Sequence, residues 1–140
     1  MSVATVLVGK DCKVTLGGNK ILGMGTWTMG GVSTDLLEAT EFGDNWKRFK
    51  LGLKDGGEVS FSGFYDKADT TGQDALRTAN EEGTAITNVR FYVDNTSYWT
   101  PTTTNPLSSC LCTSWSIGAE KAGLLTADFS LKVDGKLELI

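Results

Sequence analysis

The sequence contains no histidine, and only two prolines and three cysteines occur in its 140 residues. Without histidine, a Ser-His-Asp or Cys-His arrangement for nucleophilic catalysis is excluded. Cys12, Cys110 and Cys112 form an odd set, which argues against a complete disulfide framework. They also lack the histidines or the second cysteine pair of a zinc site, so we expect buried or half-buried thiols.

Phosphate-binding and acid-base motifs are also missing. Gly17-Gly18, Gly30-Gly31 and Gly56-Gly57 lie at turn positions, without the lysine and Ser/Thr that cradle a phosphate. Carboxylate pairs such as Asp66 and Asp69 are more often solvated turn charges than a general acid and base. We therefore expect no enzymatic activity, no cofactor and no metal.

Positive charge and long hydrophobic runs are scarce as well. Thirteen Lys and Arg face seventeen Asp and Glu, and the resulting net charge of −4 repels nucleic acid phosphates. The apolar stretch near the start, residues 3–8, is too short to span a membrane and has no basic region before it. We expect a protein made in the cytosol, without a membrane partner.

Alternation of apolar and polar residues is the dominant pattern in what remains. From Leu125 to Val133 every second residue is apolar, and only a strand places such residues on one face. Asp134-Gly135 is typical of a tight turn, and Leu137 and Leu139 resume the alternation. This pattern predicts a closing β-hairpin.

Similar alternation in other segments predicts about seven to nine strands in a β-sandwich or small barrel, within one domain spanning 1–140. A second hairpin is predicted where Asp55-Gly56-Gly57 joins the strand around Leu51 to the strand around Phe61. The remaining strands are predicted around Val14 and Leu16; Ile21, Gly25, Trp27 and Met29; Val89, Phe91 and Val93; and Leu111, Thr113, Trp115 and Ile117.

One helix interrupts the strands. Thr70 and Gln73 have capping-box spacing, and Gly83 is a plausible residue to end the helix. Between them Ala75, Leu76 and Ala79 make a narrow apolar stripe. This short stripe predicts a helix that lies across one edge or face of the sheet.

The segment 30–46 fits neither a strand nor a helix pattern and predicts a long projecting loop. A connection of this length is unusual in a compact domain and is often functional. Its apolar residues are Leu36, Leu37, Phe42 and Trp46. They need either a partner surface or a place against the protein's own core, and composition alone favours neither.

The order of these parts resembles the major tail tube proteins of siphovirus-type bacteriophages over nearly the whole chain. The most telling segments are Glu58 to Leu76, with Phe61-Ser62-Gly63-Phe64-Tyr65-Asp66 and the helix after Thr71-Gly72-Gln73, and the closing segment Phe129 to Leu137. The resemblance implies a β-sandwich with a flanking helix, assembled as stacked hexameric rings around a DNA channel.

The same resemblance implies that the inner sheets of six subunits join, and that the loop 30–46 reaches a neighbouring ring through Leu36, Leu37, Phe42 and Trp46. Implied partners are further copies of the chain and other tail proteins (tape measure, terminator, distal tail), and the location is the virion tail. Viral DNA passes through the channel without specific binding. An acidic bore suits that role, because repulsion reaches roughly 8–10 Å at physiological salt.

Two other classes of function remain open. The first is another virion component on a related fold, such as a tail terminator, baseplate ring or decoration protein. Alternatively, Trp27, Trp46, Trp99 and Trp115 on a β-sandwich are candidates for stacking on sugar rings, as in a carbohydrate-binding module. Trp27 and Trp115 fall on predicted core faces, which weakens the second alternative.

Overall fold

The computed structural model describes residues 6–104 and 106–140. These residues form a mainly β fold with one α-helix, α1, and a single 3₁₀ turn at Gly9–Asp11, as the alternation predicts. The strands are β1 Lys13–Leu16, β2 Asn19–Lys20, β3 Met24–Gly30, β4 Ser33–Glu38, β5 Phe49–Asp55, β6 Glu58–Phe64, β7 Val89–Tyr92, β8 Tyr98–Pro101, β9 Ser109–Gly118, β10 Thr126–Asp134 and β11 Leu137–Leu139, and α1 is Gln73–Glu82.

Two antiparallel sheets enclose the core, which makes the fold a β-sandwich. One sheet has five strands in the order β11-β8-β7-β1-β2, and the other has four in the order β3-β6-β10-β9. Phe61 of the four-stranded sheet lies 6.3 Å from Phe91 of the five-stranded sheet, measured between ring centroids. The buried core residues are Val14, Ile21, Val59, Phe61, Leu76, Ile86, Val89, Phe91, Cys110, Cys112, Ala127, Phe129, Leu131 and Val133.

The predicted closing hairpin is wrong, although both of its strands exist. β10 already pairs with β6 on one side and β9 on the other, so it has no free edge for β11. The chain instead crosses to the second sheet at Gly135, whose φ is 102°, and Leu137 pairs with Pro101 of β8. Ser108 fixes this crossing, because its hydroxyl accepts a hydrogen bond from the Lys136 amide at 3.0 Å.

The predicted hairpin between residues 49–53 and 59–61 is wrong for the same reason. β6 is paired with β3 and β10, and β5 pairs with β4. The segment 30–46, predicted as an irregular loop, therefore contains a strand and continues into a two-stranded hairpin spanning 33–55. Gly57 closes its base with a φ of 86°, and a side chain there would overlap the carbonyl of Gly30.

A β-bulge at Thr113 breaks the alternation predicted for β9, which places Leu111 on the same face as Trp115. Cys112 pairs with Leu131 and Ser114 with Ser130, so Thr113 is an extra residue in the ladder. Before the bulge Cys110 and Cys112 face the core and Leu111 is exposed. After it the parity changes, and Trp115 packs against the core as predicted.

Helix α1 packs against β9 and ends at Gly83, which is left-handed with a φ of 70° as predicted. The predicted capping box at Thr70 is wrong. The helix begins at Gln73, and its first amide donates to the carboxylate of buried Asp69 at 3.1 Å. Among residues 6–104 and 106–140, no helix has the length and apolar character needed to cross a membrane.

Candidate assembly surfaces

The β4–β5 hairpin carries apolar side chains that its own body leaves exposed. Leu36 pairs with Leu51 across the two strands, and Phe49 follows two residues along on the same face. Leu36 is 62% exposed, Leu51 is 70% exposed and Phe49 is 51% exposed. Leu37 lies on the opposite face, beside Lys50. We call Leu36, Phe49 and Leu51 the apolar hairpin face.

The turn between β4 and β5 presents two aromatic side chains to solvent. Phe42 is fully exposed and Trp46 is 85% exposed. Local bonds define the turn: the Ala39 amide donates to the Arg48 carbonyl at 2.8 Å, and Arg48 forms an ion pair with Asp44 at 3.5 Å. The turn is therefore an ordered platform for Phe42 and Trp46 that does not fold back onto the core.

The four residues predicted for the assembly loop thus separate into three places. Leu36 belongs to the apolar hairpin face, Leu37 to the reverse face, and Phe42 and Trp46 to the tip. Adjacent residues of a strand point to opposite faces, so Leu36 and Leu37 do not act on one surface. The sequence does not identify Phe49 and Leu51 as surface residues, because the alternation is the same for an apolar face that covers the core and for one that binds a partner protein.

A charged contact holds the base of the hairpin to the four-stranded sheet. The Lys132 ammonium of β10 forms an ion pair with Asp55, the last residue of β5, and also donates to the Gly57 carbonyl at 3.3 Å. The same Asp55 carboxylate accepts from the Gly57 amide at 2.8 Å. The hydrogen bond from Lys132, with that from Gly57, holds the pKa of Asp55 below its usual value.

Both outer edges of the four-stranded sheet are open along much of their length. Within residues 6–104 and 106–140, no strand pairs with the outer edge of β3. On β9 the first part of the edge is occupied by the bridge between Cys110 and Ile86 and by the hydrogen bond that the Asn80 side-chain nitrogen donates to the Cys112 carbonyl. From Thr113 to Gly118 the outer edge has no strand partner in the part of the chain that is described.

The centre of the outward face of the same sheet is covered by small hydroxyl side chains, and Phe64 and Leu111 lie toward its two ends. Glu58 and Asp128 add negative charge, and the positive charge of Lys132 is matched by Asp55. Two cross-strand rows make up the centre of this hydroxyl face: Thr28, Ser60, Ser130 and Ser114, and next to them Thr26, Ser62, Asp128 and Ser116.

The tryptophans do not form one platform. Trp27, Trp99 and Trp115 are partly buried and pack against the core, and Trp46 lies on the hairpin tip. The sugar-stacking alternative thus has no set of neighbouring exposed tryptophans. The two core cysteines are buried as expected, and burial raises the pKa of the Cys110 thiol to about 12.

Comparison with known proteins finds matches among solved structures and none among family models or curated sequences. No protein-family model matches the sequence. No curated protein sequence matches it either.

Among solved structures, a chain in the tail of an empty gene transfer agent particle, refined with C6 symmetry, superposes with a TM-score of 0.74 at 15% identity. The match covers 96% of this chain and 99% of that one. A chain of the sheath/tube terminator of the extracellular contractile injection system PVC has a TM-score of 0.74 at 11% identity, over 99% of both chains.

A chain of the sheath-tube complex of the same PVC system gives a TM-score of 0.69 at 12% identity, covering 99% of this chain and 93% of that chain. Likeness at such identities concerns the fold. The protein therefore has the fold found in the tails and tube complexes of phage-like particles.

Proposed function

We propose that this protein is the structural subunit of a tail tube, in which copies join into rings and the rings stack around a channel for DNA. The observation that carries the proposal is the β4–β5 hairpin, whose apolar side chains are exposed on an ordered element. Exposed apolar surface of this kind marks an interaction site. The fold shared with tail and tube chains supports self-assembly as that interaction.

Ring formation uses the four-stranded sheet. Its open edges, β3 and the Thr113 to Gly118 part of β9, lie on opposite sides of one sheet. Pairing β3 of one copy with β9 of the next continues the sheet and satisfies the backbone groups of both edges. Repeating this head-to-tail contact closes a ring when the rotation closes, and six copies are proposed from the C6 symmetry of the similar gene transfer agent tail.

In such a ring the hydroxyl face lines the channel. Serine and threonine hydroxyls with Glu58 and Asp128 give phosphates no concentrated positive charge to bind. Lys132 adds little attraction because Asp55 neutralises it at contact distance. The face is therefore suited to a channel through which DNA slides without specific binding, and the virion tail is the proposed location.

The test is electron microscopy of the purified protein over a range of concentrations. Tubes are expected for the wild type, whereas a chain that stays monomeric at every concentration contradicts the proposal. Leu36→Asp places a charge in the apolar hairpin face and is expected to leave folded subunits that do not form tubes. Leu37→Asp tests the reverse face, and Leu107→Asp, at a leucine that is 79% exposed outside the hairpin, is the matched control.

A tail terminator is the second candidate, because a sheath/tube terminator chain superposes as well as the gene transfer agent tail chain. A terminator stops growth after one layer. Single rings that never stack at high concentration would favour this role over the tube.

A further inference from the structure

The end of the four-stranded sheet away from the hairpin carries a second group of exposed apolar side chains. The hairpin leaves β3 at Gly30 and returns to β6 at Glu58, whereas β6 ends at Phe64. Six residues of strand separate these positions, or about 20 Å. The exposed apolar residues at this far end, which we call the distal rim, are Leu22, Phe64, Tyr65, Ile117, Leu124 and Leu125.

Backbone contacts bring the segments of the distal rim together. The Phe64 amide donates to the Gly23 carbonyl at 2.8 Å, and the Tyr65 amide donates to the Leu125 carbonyl at 3.0 Å. Ile117 of β9 pairs with Ala127 of β10, next to the end of the sheet. The backbones of three different parts of the chain thus meet at this end of the sheet, with Phe64 on the outward face and Ile117 on the inner face.

A buried amide fixes the shape of the distal rim. Gln73 is 2% exposed, and its side-chain nitrogen donates to the carbonyls of Leu22 at 2.7 Å and Phe64 at 2.9 Å. Its side-chain oxygen accepts from the Asp66 amide at 3.1 Å, and Asp69 accepts from the Leu22 amide at 2.9 Å. These bonds hold the Leu22 segment and the segment 64–66 of the rim in place, and such preorganisation lowers the entropic cost of docking.

Beside the distal rim a shallow groove runs between β9 and the start of α1. Tyr65, Trp115 and Ile117 are among its apolar lining residues, and Asp66 and Lys67 are among its charged ones. The hairpin tip has a matching composition, with Phe42 and Trp46 flanked by Glu41 and Lys47. The groove lining also includes Asp74 and Arg77, and the tip also carries Asp44 and Arg48, so each surface offers apolar groups together with two acids and two bases.

We propose that the distal rim and its groove receive the β4–β5 hairpin of a second copy. This inference rests on the proposed tube function and adds the receiving half of the axial contact. A hairpin at one end and its receptor at the other make a heterologous contact, which leaves a new hairpin and a new rim after each addition. Pairing of two hairpins with each other would instead consume both surfaces and stop at a closed pair.

A complementation experiment tests the pairing. Leu36→Asp damages the hairpin and leaves the distal rim intact, whereas Leu125→Asp damages the rim and leaves the hairpin intact. Leu139→Asp is the control, because Leu139 is as exposed as the rim leucines and lies on β11. Circular dichroism and thermal melting establish that each variant is folded.

We expect each rim or hairpin variant alone to raise the concentration needed for tubes at least tenfold. Rings of each variant, formed separately and then mixed in equal amounts, have one working pair of surfaces, so they form complexes with a single axial contact, seen as paired rings, and no long tubes. Normal tubes from folded Leu125→Asp, or no paired rings from the mixture, would overturn the inference and leave the tube function standing. A wild type that never assembles would overturn both.

A second measurement covers the case in which Leu125→Asp fails to fold. A photoreactive benzoylphenylalanine in place of Phe42 is irradiated in assembled protein, and the linked peptides are identified by mass spectrometry. Links to peptides containing Leu22, Phe64 to Lys67, or Ile117 to Leu125 of another copy support the docking. Links from hairpin to hairpin, or to other surfaces, contradict it.

Discussion

At the scale of single residues, Gln73 has the most distinctive position in the molecule. It begins α1, yet its side chain is buried and binds two carbonyls and one amide from segments outside the helix. Polar groups at this depth stabilise a fold only while every partner is satisfied. The positions of the Leu22 and Phe64 segments of the distal rim therefore depend on this amide side chain together with the Asp69 carboxylate.

Replacing Gln73 by Ala is expected to lower the free energy of unfolding by about 2–3 kcal/mol, because the Leu22 and Phe64 carbonyls and the Asp66 amide lose their partner. Gln73→Glu keeps an acceptor for the amide but turns an oxygen toward the two carbonyls, so it too is destabilising. Denaturant unfolding measures both. Glu82→Ala, at an exposed residue of the same helix, is expected to change stability by less than about 0.5 kcal/mol.

The sequence shows which residues are polar or apolar better than it shows what those residues contact in the folded protein. Gln73 is identified as part of a helix start, but the spacing from Thr70 assigns it a local role, whereas its partners are up to 51 residues away. Leu36, Phe42 and Trp46 are exposed in the structure, an outcome that composition alone left open. The exposure of Phe49 and Leu51 was not predicted, since alternation shows that a strand has an apolar face and does not show what covers that face.

At the scale of elements, the β4–β5 hairpin is a two-stranded sheet with exposed side chains on both faces. An isolated pair of strands is only marginally stable in water, so this element depends on its anchorage until a partner covers it. Asp55, Lys132 and Gly57 supply that anchorage at its base. The direction in which the hairpin projects is set there.

Asp55→Asn is expected to loosen the hairpin without unfolding the sandwich. Because its pKa is lowered in the folded protein, the Asp55 carboxylate stabilises the base above the ordinary carboxyl pKa of about 4, and this contribution is lost as the pH falls through the lowered value. The protection factor of the Gly57 amide, which corrects the exchange rate for its intrinsic pH dependence, should fall by about two- to tenfold, the factor for one lost hydrogen bond, and lowering the pH should change that factor little further in the variant.

Two controls show whether the effect of Asp55→Asn is confined to the base of the hairpin. Asp35→Asn removes a carboxylate from the same hairpin at an exposed position, and exchange of Gly57 should not respond. Amides of Phe61 and Leu131 in the core strands should exchange slowly in every variant. Equal acceleration in the core strands would mean that Asp55 stabilises the whole fold and does not anchor one element.

Most strands follow from their alternation, and most pairings do not. The alternation correctly places β6, β7, β9 and β10, and the helix lies where its stripe and Gly83 indicate. The errors arise where a turn motif is taken to join neighbouring strands. Asp134-Gly135 turns the chain, but β10 has two partners already, and the choice between hairpin and sheet crossing depends on contacts between distant parts of the chain.

At the scale of the whole molecule, the four-stranded sheet has a distinct surface in each direction. Its open edges lie to the sides, the hairpin and the distal rim lie at the two ends, and its inner face covers the core. The outward hydroxyl face is left without an apolar group at its centre. Lateral joining and axial stacking thus use different surfaces, and the hydroxyl face remains for the channel.

Placing a lysine at Ser60, in the centre of the hydroxyl face, tests this arrangement. In rings that line a channel with this face, Ser60→Lys adds one positive charge per subunit at the same height, and the clustered charges attract phosphates by releasing counterions. Tubes of the variant should retain duplex DNA at roughly 50 mM salt and release it by roughly 200 mM, whereas wild-type tubes retain none. Ser60→Gln, long but neutral, should behave as the wild type.

Nuclease treatment then locates the bound DNA. DNA inside a closed channel is shielded, so the material retained by Ser60→Lys tubes should survive digestion that destroys free duplex. If the retained DNA is digested as fast as free duplex, Ser60 lies on the outside of the tube. The hydroxyl face would then be an outer wall, and the channel would have to be lined by the five-stranded sheet, where Lys13 and Arg90 lie over tyrosine rings and offer DNA a more positive surface.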